Sequence, residues 1–271
     1  MHRKCDVFYL LLVSSFIRIK FLNMKILVCI SHVPDTTSKI NFSEGDTKFD
    51  SNGVQYVINP NDEFGLTRAM WFKEKQNASI DVISVGGSET ETTLRKALAI
   101  GADTAIRVNA STPDGLSVAK HLADVAKKGS YDLIITGRES IDYNGGMVPG
   151  MLAAILNANF VTNCISLEIE GTIATAVREI DGGKETLSTL LPLVIGAQKG
   201  LVEESDLRIP NMRGIMMARK KPLTVVNPES NNSATKSVSF EKPASRGDVK
   251  LVKADNIDEL INLLHNEAKV I

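Results

Sequence analysis

Residues 133–156 read LIITGRESIDYNGGMVPGMLAAIL, and this stretch decides the fold class. Leu133–Thr136 is a short run, apolar on both faces, of the kind found in strands buried between two layers. Gly137–Gly146 interrupts it with Gly, Asn and Asp, and Gly146–Leu156 resumes with helical periodicity. Strand, glycine-bearing turn and helix together make half of a βαβ unit. The same alternation continues on both sides. Apolar runs recur at Ile26–Ile30, Ile80–Val85, Thr104–Val108 and Leu193–Ile195. Helical stretches lie between them: Asn61–Glu74, Glu89–Ile100 with its stop at Gly101, and Leu116–Lys127 after the Pro113-Asp114-Gly115 turn. Strands separated by helices of this length predict an α/β domain. Its sheet should be twisted, mainly parallel, flanked by helices and Rossmann-like in its winding.

The character changes beyond Ala158. Ile165–Glu170 and Thr172–Arg178 alternate like a β-hairpin around Gly171, and Asp181-Gly182-Gly183 is a second turn signal. The α/β unit therefore spans 24–226. Residues 227–271 form a C-terminal arm, a polar linker rich in Asn and Ser followed by an amphipathic helix over Asn256–Ala268 with Leu260, Ile261, Leu263 and Leu264. Such a helix has little core of its own to cover and should pack on another surface. At the other end, residues 1–23 resemble a signal peptide in outline. Arg18 and Lys20 follow the apolar run, however, and a buried strand begins at Met24. This segment reads as an over-extended start, and its apolar run is too short for stable membrane insertion.

Thirty-one Lys+Arg against 32 Asp+Glu, a net charge of −1, argue against a nucleic-acid surface, which needs an excess of basic residues. Three Cys (Cys5, Cys29 and Cys164), widely spaced and odd in number, exclude a disulfide framework and C-x-x-C metal spacing. They suit a reducing, cytoplasmic setting. Four scattered His make a His-rich metal site improbable, so no metal is expected. No Walker-type phosphate loop, G-x-G-x-x-G, H-E-x-x-H or G-x-S-x-G occurs. His32, in the loop after the first strand, reads as a surface or structural residue more readily than as a catalytic one. No catalytic residue is assigned, and the chain is not expected to be an enzyme acting alone.

What remains is a constellation at strand ends. Cys29, Val85 and Gly137-Arg138-Glu139-Ser140-Ile141-Asp142-Tyr143-Asn144-Gly145-Gly146 follow apparently parallel strands, where open α/β sheets bind ligands. Glycines there admit backbone N–H groups to a phosphate, and the helix N-terminus adds partial positive charge. An ordinary βα turn has a similar composition, so spacing alone leaves both readings open. Two further segments stand out. Residues 177–185, VREIDGGKE, read as a charged strand end and turn. Residues 207–222, LRIPNMRGIMMARKKP, mix Ile209, Met212, Ile215, Met216 and Met217 with five basic residues. These apolar side chains suit either an adaptable binding surface or a helix core.

Taken together these segments resemble the β subunit of electron transfer flavoprotein. The motifs are MKILVCISHVPD at 24–35, ALAIGAD at 97–103, GRESID, VREIDGG and IPNMRGIMMARKKP, and the similarity runs from Met24 to about Val226. The resemblance implies an adenine-nucleotide α-hydrolase-like fold and a heterodimer with an α subunit that holds redox-active FAD, to whose pocket this chain contributes a part. It implies structural AMP in this chain, against Cys29, Asn59, Pro60, Asn61, Asp62 and Val85, and against Gly137–Gly146 with Met147 and Val148. It also implies electron transfer from acyl-CoA dehydrogenases, through the α-subunit FAD, to a membrane quinone oxidoreductase. Ile209 would be the apolar anchor for docking dehydrogenases, with Pro210 fixing the backbone after it, and a buried Ile209 is the competing reading. Two stretches depart from the family's usual wording: Tyr143–Met147, and the longer, more acidic Leu201–Ile209. The alternatives are a bifurcating form, with a second FAD in place of AMP and NADH as hydride donor, and a stress-type adenine-nucleotide-binding protein. The last would leave VREIDGG and the basic Met-rich segment unexplained.

Overall fold

The computed structural model describes residues 24–111, 114–228, 233–245, 247 and 249–271. The 1–23 segment, with its expected over-extended start, and Pro113 of the expected turn lie outside the described residues. Strand β1 (Lys25–Cys29) leads through short strands β2 (His32–Pro34), β3 (Asn41–Ser43), β4 (Lys48–Asp50) and β5 (Tyr56–Ile58) into helix α1 (Pro60–Gln76). Then β6 (Ser79–Val85), α2 (Glu91–Ile100), β7 (Thr104–Val108), α3 (Gly115–Gly129), β8 (Leu133–Gly137) and α4 (Val148–Leu156) alternate. They are followed by β9 (Asn159–Glu170), β10 (Ile173–Ile180), β11 (Gly183–Leu190), β12 (Leu193–Ala197), α5 (Met212–Ala218), β13 (Leu223–Val226) and α6 (Ile257–Asn262).

Nine strands form one sheet in the order β11-β10-β9-β12-β8-β1-β6-β7-β13. All neighbours from β9 to β13 along that order are parallel, and β10 and β11 add an antiparallel extension beyond β9. The mainly parallel, helix-flanked sheet read from the sequence is therefore the fold. From β1 the chain first builds β6 and β7 on one side, then crosses to place β8 and β12 on the other. That reversal puts the topological switch at β1 and β8, where an open α/β sheet leaves a crevice beyond its carboxyl ends.

Strand alternation divides the core between two faces. Ile26 and Val28 of β1 join a cluster with Phe64, Leu66 and Phe72 of α1 and Leu94 and Leu98 of α2. Leu27 and Cys29 join a second cluster with Ala119, Leu122 and Ala123 of α3 and Leu152 of α4. Each fully buried Ile or Leu contributes about 1.5–3 kcal/mol, so burial on both faces fixes the register of the central strands. Helix boundaries follow local chemistry. Pro60 opens α1, which stops at Asn77 in the left-handed conformation (φ 55°). Asp114 caps α3 by accepting the Ser117 N–H at 2.7 Å, and α3 stops at left-handed Ser130 (φ 53°).

Several expectations change. The helix expected from Gly146 begins at Val148, because Pro149 suits only its first turn and leaves Gly146 and Met147 in the preceding loop. The expected hairpin is longer and gains a third strand, β11, whose sequence GKETLSTL is too polar to signal a strand by apolar content. The helix-core reading of the Met-rich segment fails. In α5 only Ala218 is buried, while Met212 is 76% and Met216 is 67% exposed. The expected C-terminal helix is α6 plus a turn of π-helix, Leu263–Glu267, with Leu260 and Ile261 exposed. No helix among the described residues is long and apolar enough to cross a membrane.

Candidate functional site

A cleft of about 1170 Å³ opens beyond the carboxyl ends of β1, β6 and β8, at the switch in strand order. Its apolar walls are Cys29, Ile83, Val85, Leu122 and Met151. Its rim comprises Gly86 and Gly87 after β6, Asn109–Ser111 after β7, and the long loop between β8 and α4. Of the residues expected to bind a ligand, Cys29, Asp62, Val85, Gly137, Glu139, Ser140, Asp142, Tyr143, Gly145, Met147 and Val148 line this cleft. Asn59, Pro60, Asn61, Arg138, Ile141, Asn144 and Gly146 are outside the lining set.

The side chains behind the wall hold the loop in place. Asn59 Nδ2 donates to the Glu139 carbonyl at 2.9 Å, and its Oδ1 accepts the Ile141 N–H at 3.3 Å. Asn61 Nδ2 donates to the same carbonyl at 3.2 Å. Arg138 turns away, to the Gln198 Oε1 at 3.2 Å and the Glu139 carboxylate at 2.7 Å. Asp62 is 2% exposed and ties the two sides of the switch together. One carboxylate oxygen accepts the Ser31 N–H after β1 and the other accepts the Gly137 N–H at the end of β8, both at 2.7 Å. Burial pushes the Asp62 carboxyl up to about 7, against the opposing pull of these hydrogen bonds.

Two helix starts meet at the cleft. A Cβ on Gly115 would lie 2.8 Å from Met147 Cγ and 3.2 Å from Val148 Cγ2, so the close approach of α3 to α4 favours glycine there. The N-terminus of α3 is already occupied by the Asp114 carboxylate, whereas α4 begins without a side-chain cap. The α4 start is thus the better-placed source of partial positive charge for an anionic group. Side-chain charge does not supply it. Asp62, Glu89, Asp114, Glu139 and Asp142 line the cleft, and no Lys or Arg appears among the described lining residues.

His32 also lines the cleft, stacked on Tyr56 with ring centroids 4.3 Å apart and its Nδ1 2.5 Å from Thr93 Oγ1. Burial lowers its pKa and favours the neutral ring, and the stacking fits the structural role read from the sequence. Sequence reasoning missed the Gly86-Gly87 turn, Asn109–Ser111, Asp114 as lining, and Ala234, Thr235 and Ser237 from the C-terminal arm. The glycine pair directly after an apolar strand was a usable signal, and nothing local marks the arm.

Away from the cleft, VREIDGG forms the end of β10 and its two-residue turn into β11, and Arg178 Nε pairs with Glu185 Oε2 across the strands at 2.6 Å. Ile209 is 84% exposed, which rules out the buried reading of that residue in this chain. Among the described residues no group of three or more His, Cys, Asp or Glu could hold a metal ion.

These features define an open, doubly wound α/β protein whose cleft lies at the switch point of its sheet. Comparison with known proteins narrows the class. A family model described as "Electron transfer flavoprotein domain" matches residues 46–231. The chain is 36% identical over 262 residues to electron transfer flavoprotein subunit beta of Bacillus subtilis (strain 168), covering 92% of this chain and 100% of that protein. It is 33% identical over 259 residues to the mitochondrial subunit beta of Arabidopsis thaliana, covering 92% and 100%. Against subunit beta of Homo sapiens it is 31% identical over 257 residues, covering 91% and 99%. The chain belongs to the electron transfer flavoprotein family, with the proteins named subunit beta, and its role is in electron transfer.

Proposed function

We propose that this chain is the small subunit of a heterodimeric electron carrier, binding AMP in the switch-point cleft while an α subunit holds most of the FAD pocket. Electrons from acyl-CoA and related dehydrogenases pass through that FAD to a membrane quinone oxidoreductase, and this chain itself adds no redox group. The observation that carries the reading is the cleft: apolar strand ends suited to an adenine face an uncapped helix start suited to a phosphate. When bound, FAD supplies the redox chemistry. The residues of this chain position ligands and exclude water, with Asp62, Asn59 and Asn61 holding the loop that frames the cleft. The α subunit also gives a use to the arm, where Leu260 and Ile261 are exposed on this chain. Ile209 and Pro210 present a small apolar contact to dehydrogenases.

One observation favours a second reading. At about 1170 Å³ the cleft exceeds the usual size of small-ligand sites and has room for a dinucleotide, as the bifurcating form with FAD here requires. Denaturing the complex purified after co-expression with its α subunit, and identifying the released nucleotides by mass spectrometry, separates the two. One AMP and one FAD per heterodimer are expected. Two FAD would establish the bifurcating form, and absence of any adenine nucleotide beyond a single FAD would refute the AMP site.

A further inference from the structure

Beyond Val226 the chain returns over the cleft. The Asp114 carboxylate serves two elements at once. Its Oδ1 caps α3, and its Oδ2 accepts the Ser233 hydroxyl, the Ala234 N–H at 2.6 Å and the Thr235 N–H at 3.0 Å. These donors hold the Asp114 carboxyl well below the usual carboxylate range. A second anchor follows at Phe240, whose ring stacks on Phe42 of β3 with centroids 5.0 Å apart and whose N–H donates to the Asp46 carbonyl at 2.7 Å. Lys242 Nζ adds a bond to Asn41 Oδ1 at 2.9 Å. Between the anchors, Ala234, Thr235 and Ser237 line the cleft.

The segment is not held by a core. Residues 233–239 are all exposed, so its position depends on the Asp114 carboxylate at one end and, at the other, on the Phe240 stack with the Phe240 N–H and Lys242 bonds beside it. Contacts of this kind form and break without unfolding the domain. Thr235 and Ser237 line the cleft while Lys236 between them does not, so the segment adds neutral polar residues to a wall with five carboxylates and no Lys or Arg among its described residues. We infer that residues 233–240 are a releasable wall of the cleft, adding the Thr235 and Ser237 hydroxyls to its lining and retaining the bound nucleotide. The nucleotide's identity rests on the proposed function, and the wall itself does not.

The test uses the complex with the α subunit, as wild type, Asp114→Ser and Phe240→Ala. Serine is itself a good helix cap, so Asp114→Ser removes the charged anchor and leaves α3 started. Exchange of bound AMP against labelled AMP should be about tenfold faster in each variant. In complex stripped of nucleotide by charcoal, alkylation of Cys29 on the cleft wall, followed by peptide mass mapping, should accelerate similarly. Alkylation of Cys164, buried outside the cleft, should stay constant. Wild-type rates for AMP exchange and Cys29 in both variants, or equal acceleration of Cys164, would overturn the inference. Should the wild-type complex hold no AMP, the proposed nucleotide is wrong, and Cys29 alone decides the wall: faster alkylation supports it and unchanged alkylation overturns it.

Discussion

Replacing Gly137 with alanine should damage the fold and the cleft together. A Cβ at this position would lie 2.8 Å from Asn59 Nδ2 and 2.9 Å from Asn61 Cβ, and closer still to Asp62 Oδ1. None of the three can yield freely. Asn59 and Asn61 are bonded to the Glu139 carbonyl, and Asp62 accepts both the Ser31 and Gly137 N–H groups. Displacing the carboxyl forfeits its two buried hydrogen bonds, each contributing about 0.5–1.5 kcal/mol while it is protonated and about 1.5–3 kcal/mol once it is ionised. Overpacking adds about 1–3 kcal/mol, partly for the same displacement, so a net loss of roughly 3–5 kcal/mol is expected. At about 2–4 °C per kcal/mol for a domain of this size, the melting temperature should fall by roughly 6–20 °C. Differential scanning calorimetry of the purified complex measures this, and AMP content should fall in parallel. Gly183→Ala, away from the cleft, is the control, since nothing lies within 4 Å of its added Cβ. A Gly137→Ala complex with the control's melting temperature and full AMP would refute the account of Asp62 as the tie between the two sides of the switch.

Two further outcomes follow from burial and exposure. Burial raises Asp62 from 3.8 to about 7, so the folded state holds a proton that the unfolded state releases between these values. The stability this contributes is complete below about pH 4 and is lost as pH rises to about 7, at up to roughly 1.4 kcal/mol per pH unit. Urea unfolding of wild type and Asp62→Asn from pH 4 to 7 should show a steeper downward slope in the wild type, and parallel curves would contradict it. Ile209→Ala should leave the melting temperature nearly unchanged, because the side chain is 84% exposed. Electron transfer from an acyl-CoA dehydrogenase should slow about tenfold, the equivalent of 1.4 kcal/mol of docking affinity. Normal transfer kinetics would remove Ile209 as the docking anchor.

The sheet was legible because its central strands are apolar on both faces. Ile26–Ile30, Ile80–Val85 and Leu133–Thr136 are mostly apolar on both faces, with Asp81 buried against the Tyr131 hydroxyl, which fixes them between two helix layers. Polar strands were not legible. β11 alternates Thr and Ser with Leu and gains its order from pairing along the whole length of β10. The cleft residues divide the same way. Cys29, Val85 and Gly137 follow apolar strands and could be placed by position alone, whereas Ala234, Thr235 and Ser237 reach the cleft only through a carboxylate more than a hundred residues earlier in the chain.

Asn59 and Asn61 show what a motif reading leaves unresolved. Resemblance assigns them to the ligand, and in the structure their side-chain amides donate to the Glu139 carbonyl. A residue can belong to a binding motif by fixing the loop that binds, since an unpaired carbonyl on a half-buried turn carries a cost of its own. The same logic accounts for an acidic cleft in a proposed anion site. If a phosphate is held by the α4 start and backbone donors, the carboxylates on the wall are free to serve the protein: Asp62 as a tie, Asp114 as cap and latch. Positive charge from side chains then has to come from outside the sheet. Within this chain the arm adds Ala234, Thr235 and Ser237 to the described lining and no charged residue, which couples ligand retention to a segment held outside the core.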